Sequence, residues 1–281
     1  MMNKLPYYLQ LIRPINLFII FITQLLFVLK GSDHTISNII FPDFSLIALS
    51  VMLTAAAGYV VNDVFDVEID KINKPIKQVV PSPISFKAAR IFYFSLVGLS
   101  IIMAFFVGLM FGYLVVVVNL LLYYYSQDLK KSILFGNALV AFLSGMVVFT
   151  TYYAYYPTAE NYHAMYSLMA FAITMARELV KDIQDMEGDA AHGGRTLPIV
   201  YGIRPSRWLS MLFIVMAAAI LTWVAVAAQS TPYWLYLGAL FAWMAYCIKQ
   251  LWQAEKSREY GRVSGYLKLA MFAGIVSVLF V

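Results

Sequence analysis

The stretch "SLIALSVMLTAAAGYVVNDVFDVEID", residues 45–70, constrains this chain most. Residues 45–61 carry no charge, and the run ends on four carboxylates, Asp63, Asp66, Glu68 and Asp70. An uncharged run of that length matches the hydrocarbon thickness of a bilayer. In lipid, only a helix or a closed barrel satisfies its own backbone. Further apolar segments can be read at 15–31, 88–108, 110–125, 135–156, 163–180, 207–229, 231–248 and 264–281. They are continuous, unlike the alternating strands of a barrel. Only 12% of the 281 residues are charged, about half the share in a soluble domain, roughly 25%. The expected fold is therefore an all-α integral membrane protein with nine transmembrane helices and a single domain over residues 1–281. The first run continues as a full span with no small-residue cleavage site, so it reads as a span and not as a signal peptide. Cys247 falls within a span, where a lone thiol reads as packing.

Charge sets the orientation. With the N-terminus in the cytoplasm and nine spans threaded, 19 of the 20 Lys and Arg fall on the inner side; Lys30 is the exception. Such a bias follows the positive-inside rule. It also explains the net charge of +5 without nucleic acid, as topology and contact with anionic headgroups. The outer connections are short and nearly uncharged. Polar chemistry therefore belongs to the inner loops, 62–88, 126–134 and 180–206.

Those loops contain an internal repeat. "DVFDVEID" (63–70) and "DIQDMEGD" (182–189) share the pattern D-x-x-D-x-E-x-D and hold eight of the 15 acidic residues. Positions i, i+3 and i+7 share a helical face. Asp63, Asp66 and Asp70 can therefore point together, as can Asp182, Asp185 and Asp189, while Glu68 and Glu187 fall off the stripe. Clustered carboxylates repel one another unless cations are present. Oxygen ligands suit Mg²⁺, which keeps waters and shares its shell with substrate phosphates. The repeat thus implies Mg²⁺ and a phosphorylated or diphosphorylated ligand. A solvated acidic loop would explain one such cluster but does not account for two.

Basic residues surround the acids. Arg177 and Lys181 lie four apart on one helical face beside Asp182, and Lys130 and Lys131 lie on the middle inner loop. Lys71, Lys74 and Lys77 follow the first cluster. Arg177, Lys181 and Lys130 are candidate phosphate contacts, with salt bridging to the aspartates as the plainer alternative. "YYY" at 123–125 ends a span on the acidic side. Its rings are either interfacial anchors or a cation–π surface for a developing carbocation. The stretch "TYYAYYP" (151–157) reads as an outer aromatic belt. The three His form no metal set, and "GLMFG" (108–112) is at best a small-residue helix contact.

N-D-x-x-D-x-x-x-D after the second span and D-x-x-D-x-x-x-D after the sixth resemble the UbiA superfamily of intramembrane prenyltransferases, over essentially the whole chain. "RPIN" (13–16), "YSQDLKKSILFGN" (125–137) and "GGRTLPIVYGI" (193–203) add to the resemblance. It implies helices ringing a central cavity, with Mg²⁺ held by Asp63, Asp66, Asp70, Asp182, Asp185 and Asp189 against a prenyl diphosphate. Asn62, Lys130, Arg177 and Lys181, with Arg13, Asn16 and Tyr125, would form the substrate-binding set. Within the superfamily the motif wording is most similar to the branch that transfers geranylgeranyl to geranylgeranylglyceryl phosphate in ether-lipid synthesis. "AAAGYVV" before Asn62 lacks the Arg that suits an aromatic acid. The loop "KQVVPS" (77–82) departs from the family's usual wording, which leaves aromatic quinone precursors as alternative acceptors. A cation-coupled transporter is the different-class alternative, but it would place ionisable groups at midplane in broken helices. A phosphatidyl-type alcohol transferase would need a D-G opening, and Val64 follows Asp63.

Overall fold

The computed structural model describes residues 4–31, 42–73, 78–151 and 162–281. Among the described residues the chain is helical and contains no strand. It divides into two compact units, Met1–Gln24 with His34–Lys130, and Leu25–Asp33 with Lys131–Val281.

In the first unit, α1 (Leu5–Ile12) leads through a 50° bend into α2 (Pro14–Gly31), which belongs to this unit as far as Gln24. The bend falls at Arg13, which has φ 53° and ψ 66°. Pro14 starts α2, where its missing N–H costs no helical hydrogen bond. Then come α3 (Pro42–Phe65), α4 (Val67–Asn73), α5 (Phe86–Val107) and α6 (Leu109–Gln127). α3 packs against α1, α5 and α6, with Ala56, Ala57, Val60 and Val61 in the core beside Leu11 and Ala89. Asn119 on α6 donates to Ser100 on α5 (3.3 Å) and to Thr54 on α3 (3.5 Å), tying three helices by polar contacts within the apolar region.

The second unit is built around α8 (Tyr162–Gln184), packed by α7 (Phe135–Thr150), α11 (Ile203–Ala228) and α13 (Ser257–Val276). α9 (Met186–Ala191), α10 (Leu197–Tyr201) and α12 (Thr231–Gln253) complete it. Gly145 on α7 lets that helix close on α8, because a Cβ there would lie 2.7 Å from the Ser167 carbonyl oxygen. Cys247 is fully buried, as expected of a packed thiol.

Each of the nine apolar runs holds a helix among the described residues, but their lengths and polarity differ from expectation. Five helices, α3, α5, α6, α11 and α13 with its extension to Phe280, are long and apolar enough to cross a membrane. The bent α1–α2 pair makes a sixth. α7 is shorter, and α8 ends in the charged residues Arg177, Glu178, Lys181 and Asp182. α13 starts at Ser257 and not at 264, and α12 runs on to Gln253. Hydropathy senses membrane thickness, whereas these helices continue into polar sequence. In "GLMFG", Gly108 is the break between α5 and α6. Gly112 faces the Phe105 ring, which a Cβ would meet at 2.3 Å. The stretch thus joins α5 to α6 and sets a small-residue contact between these two neighbouring helices.

Candidate active site: two acidic helix breaks

In the first motif, α3 ends at Phe65, Asp66 stands between helices, and α4 begins at Val67. Backbone hydrogen bonds cross the break, from Asp66 N–H to the Asn62 carbonyl (2.9 Å) and from Asp70 N–H to the Asp66 carbonyl (2.7 Å). The second motif repeats this arrangement. α8 ends at Gln184, Asp185 stands at the break, and α9 follows. Asp185 N–H bonds the Lys181 carbonyl (2.8 Å), and Asp189 N–H bonds the Asp185 carbonyl (3.1 Å). The expected continuous helix is therefore broken at the middle aspartate of each motif, while the i→i−4 ladder through that aspartate is kept.

The side chains of the first motif meet basic and amide partners. Arg13 donates from Nη2 to Asp63 Oδ1 at 2.6 Å. Its guanidinium lies 4.8 Å from the Tyr59 ring centroid, a cation–π contact. Asn62 donates to Asp66 Oδ2 at 2.6 Å, and Lys130 pairs with Asp66 Oδ1. The Lys130 and Asp66 side chains are 12% and 13% exposed, so this pair is more shielded than an ordinary surface bridge. Glu68 lies off the stripe as expected and pairs with Lys71 in the open (2.6 Å). Asn16 gives its backbone N–H to the Arg13 carbonyl (2.8 Å). Tyr125 is half-buried in the last turn of α6. Tyr123 packs edge-on against Phe65, with ring centroids 5.5 Å apart. Lys74 and Lys77 lie outside the described residues. Gln78, in the departing loop, donates to the Val67 carbonyl (2.6 Å) and docks that loop on α4.

In the second motif Asn137, in the first turn of α7, donates to Asp182 Oδ2 at 2.7 Å. Arg177 and Lys181 do not pair with the motif's aspartates. Arg177 Nη1 donates to Glu178 Oε1 (2.8 Å), and Lys181 Nζ donates to Glu178 Oε2 (2.9 Å). The loop after α9 folds back on Asp189, whose carbonyl accepts the N–H of His192 (3.2 Å) and of Gly194 (2.7 Å). Ser257, at the start of α13, donates to the Gln184 carbonyl at 3.0 Å and steadies the end of α8. Glu187 is exposed.

Sequence reasoning missed Glu178, Asn137, Tyr59 and Ser257. Glu178 had a signal, since it stands four residues before Asp182 and so extends the acidic stripe by one turn. Among the described residues no three acidic, His or Cys side chains converge as a ligand set. In the first motif, Asp63 and Asp66 turn toward Arg13, Lys130 and Asn62. The donor chemistry still suits Mg²⁺: carboxylate oxygens, with no soft or nitrogen ligand among the six aspartates.

The chain is thus a helical membrane protein with duplicated acidic motifs, each breaking a helix at its middle aspartate and with basic residues nearby. Residues 17–272 match the UbiA prenyltransferase family, and the chain belongs to that family and is a prenyltransferase. It is 38% identical over 214 residues to digeranylgeranylglyceryl phosphate synthase of Methanothermobacter thermautotrophicus, covering 75% of this chain and 72% of that one. It is 31% identical over 282 residues to the synthase of the same name from Thermococcus sibiricus, covering 98% and 97%. A solved structure from work on digeranylgeranylglyceryl phosphate synthase in membranes superposes with a TM-score of 0.73 at 27% identity, covering 99% of this chain and 98% of that one. A UbiA homolog from Archaeoglobus fulgidus bound to GPP and Mg²⁺ shares the fold, with a TM-score of 0.65 at 15% identity and coverage of 97% and 99%.

Proposed function

We propose that this protein transfers a geranylgeranyl group from its diphosphate to geranylgeranylglyceryl phosphate, a step of ether-lipid synthesis. The observation that carries this reading is the 31% identity to a digeranylgeranylglyceryl phosphate synthase along nearly the whole chain, a length that includes both acidic motifs. The lack of a cation in "AAAGYVV" ahead of Asn62 supports a lipid acceptor over an aromatic acid. The chain acts as one domain with nine spans, its N-terminus and both motifs on the cytoplasmic side of the cell membrane. The distribution of its basic residues supports that topology.

Asp63, Asp66, Asp70, Asp182, Asp185 and Asp189 are the residues that would hold Mg²⁺. Mg²⁺, when bound, neutralises and orients the departing diphosphate. In the transfer, the bond between prenyl C1 and the diphosphate oxygen breaks, and the electron pair leaves with diphosphate. The acceptor hydroxyl oxygen bonds to C1 and loses its proton. The chain's own cations serve the leaving group: Lys130, Arg13, Arg177 and Lys181 supply positive charge where negative charge accumulates. Asn62 orients Asp66. Asn16 and Tyr125 complete the substrate-binding set.

The test uses the purified protein in lipid nanodiscs with Mg²⁺. Labelled geranylgeranyl and farnesyl diphosphates are offered with geranylgeranylglyceryl phosphate, dihydroxynaphthoate, homogentisate or 4-hydroxybenzoate. The expected product is digeranylgeranylglyceryl phosphate, lost in Asp66→Ala and Asp185→Ala. Prenylation of an aromatic alone overturns the lipid reading. Turnover that survives both substitutions overturns the role of the motifs.

A further inference from the structure

We propose that Glu178 is a positioning residue for the prenyl-transfer reaction, a counter-ion that keeps Arg177 and Lys181 off the metal-binding aspartates of the second motif and holds them as a fork for diphosphate. The proposal rests on the reading given under Proposed function.

The two motifs manage their positive charge differently. In the first, Arg13 and Lys130 pair directly with Asp63 and Asp66. In the second, both nearby cations pair with Glu178, one on each carboxylate oxygen, at 2.8 and 2.9 Å. Glu178 is 6% exposed, in the last two turns of α8, where Leu179, Val180 and Ile183 are also buried. A shielded carboxylate is costly unless each oxygen has a donor, and here the donors are the two residues assigned to diphosphate. Lys181 stands at i+3 on the same helical face as Glu178, while Arg177 is its chain neighbour and reaches the other oxygen with its long side chain. Asp182 lies one turn further along the same face and takes its hydrogen bond from the Asn137 amide, with Lys181 near it as a charge but not bonded to it. Without the charge on Glu178, Lys181 is drawn toward the motif itself, where Asp185 stands at its i+4 position. A lysine there competes with a divalent cation and leaves the diphosphate one contact short.

The experiment compares Glu178→Gln and Glu178→Asp with wild type in nanodiscs, using three readouts. These are KM and kcat for geranylgeranyl diphosphate, Mn²⁺ affinity by electron paramagnetic resonance with inorganic pyrophosphate present, and the thermal unfolding transition. E178Q keeps the shape and loses the charge. It is expected to raise KM and weaken Mn²⁺ binding about tenfold each, as loss of a ligand-orienting partner does, while kcat at saturation changes by less than about threefold. E178D, a carboxylate one methylene shorter, should fall between E178Q and wild type. If E178Q lowers the unfolding temperature but keeps wild-type KM and Mn²⁺ affinity, Glu178 is structural only and the proposal is overturned. If E178Q does not accumulate as folded protein, E178D carries the test: intermediate KM and affinity support the proposal, and wild-type values overturn it. Wild-type protein that binds Mn²⁺ with pyrophosphate but prenylates no acceptor overturns the proposed function. The Mn²⁺ affinities of the variants then decide the role of Glu178 separately.

Discussion

Asn137 holds the Asp182 carboxylate by a 2.7 Å hydrogen bond from the first turn of α7 to the last turn of α8. The amide is 5% exposed, so water does not readily replace it. Asn137→Ala leaves a shielded carboxylate oxygen without this donor, a loss of about 1–3 kcal/mol. The variant should unfold at a lower temperature by tryptophan fluorescence. Asn137→Asp should be worse, because it sets a second negative charge against the first. Wild-type unfolding temperatures in both variants would show that this amide does not support Asp182.

A second prediction concerns the glycines that follow α9. At Gly194 a Cβ would lie 2.7 Å from the Asp189 carbonyl oxygen, the same oxygen that accepts the Gly194 N–H at 2.7 Å. Gly194→Ala must therefore push the last aspartate of the second motif out of place. Small misplacements in an active site cost up to about 10²-fold in rate, so turnover should fall at least about tenfold in a folded protein. Gly193 has φ 76° but open space around its Cβ position. Gly193→Ala should cost about 1–2 kcal/mol of backbone strain and leave Asp189 in register. Equal activity losses in the two variants would mean that strain, and not contact with Asp189, governs this loop.

The helices and the two acidic motifs were legible in the sequence because apolar length and a repeated carboxylate spacing are both written along the chain. The break at each middle aspartate was not, since "DVFDVEID" and "DIQDMEGD" contain no proline or glycine ahead of that residue to signal it. The break at Arg13 has a signal in Pro14, which disfavours helix at the residue before it, but nothing in "LIRPIN" foretells a positive φ for a bulky residue. The pairing of Arg177 and Lys181 with Glu178 was not legible, because spacing alone could not rank Glu178 against Asp182. That choice depends on which carboxylate lies under which side chain, and packing around α8 sets it.

Removal of divalent ions should separate activity from folding. Asp63 and Asp66 carry Arg13, Lys130 and Asn62 as partners, and Asp182 carries Asn137. Their charges are thus partly offset by the chain itself. Chelation with EDTA should end prenyl transfer and leave the wild-type unfolding transition nearly unmoved, with activity restored by Mg²⁺ but not by Na⁺. Collapse of the fold on chelation would show instead that the motifs depend on metal for their structure.

The Lys130–Asp66 pair yields a prediction in which one substitution acts in opposite directions on two ligands. Both side chains are well shielded, and removing one partner of such a pair leaves an uncompensated charge that costs about 3–5 kcal/mol. Lys130→Met should therefore unfold at a lower temperature in EDTA. The Asp66 oxygen it frees is then open to a divalent cation, which no longer competes with an ammonium group. Because a ligand bound only to the folded state stabilises it, Mg²⁺ should raise the unfolding temperature of Lys130→Met more than that of wild type. Diphosphate should behave in the reverse sense. With Lys130 gone, the proposed phosphate contact is lost, and KM for the prenyl diphosphate should rise about tenfold or more, as for loss of a charge-assisted hydrogen bond. Thermal unfolding with Mg²⁺ alone, set beside KM for the donor, checks both directions. A variant that gains nothing from Mg²⁺ would show that Asp66 is not a metal site. A variant with unchanged KM would show that Lys130 serves Asp66 alone.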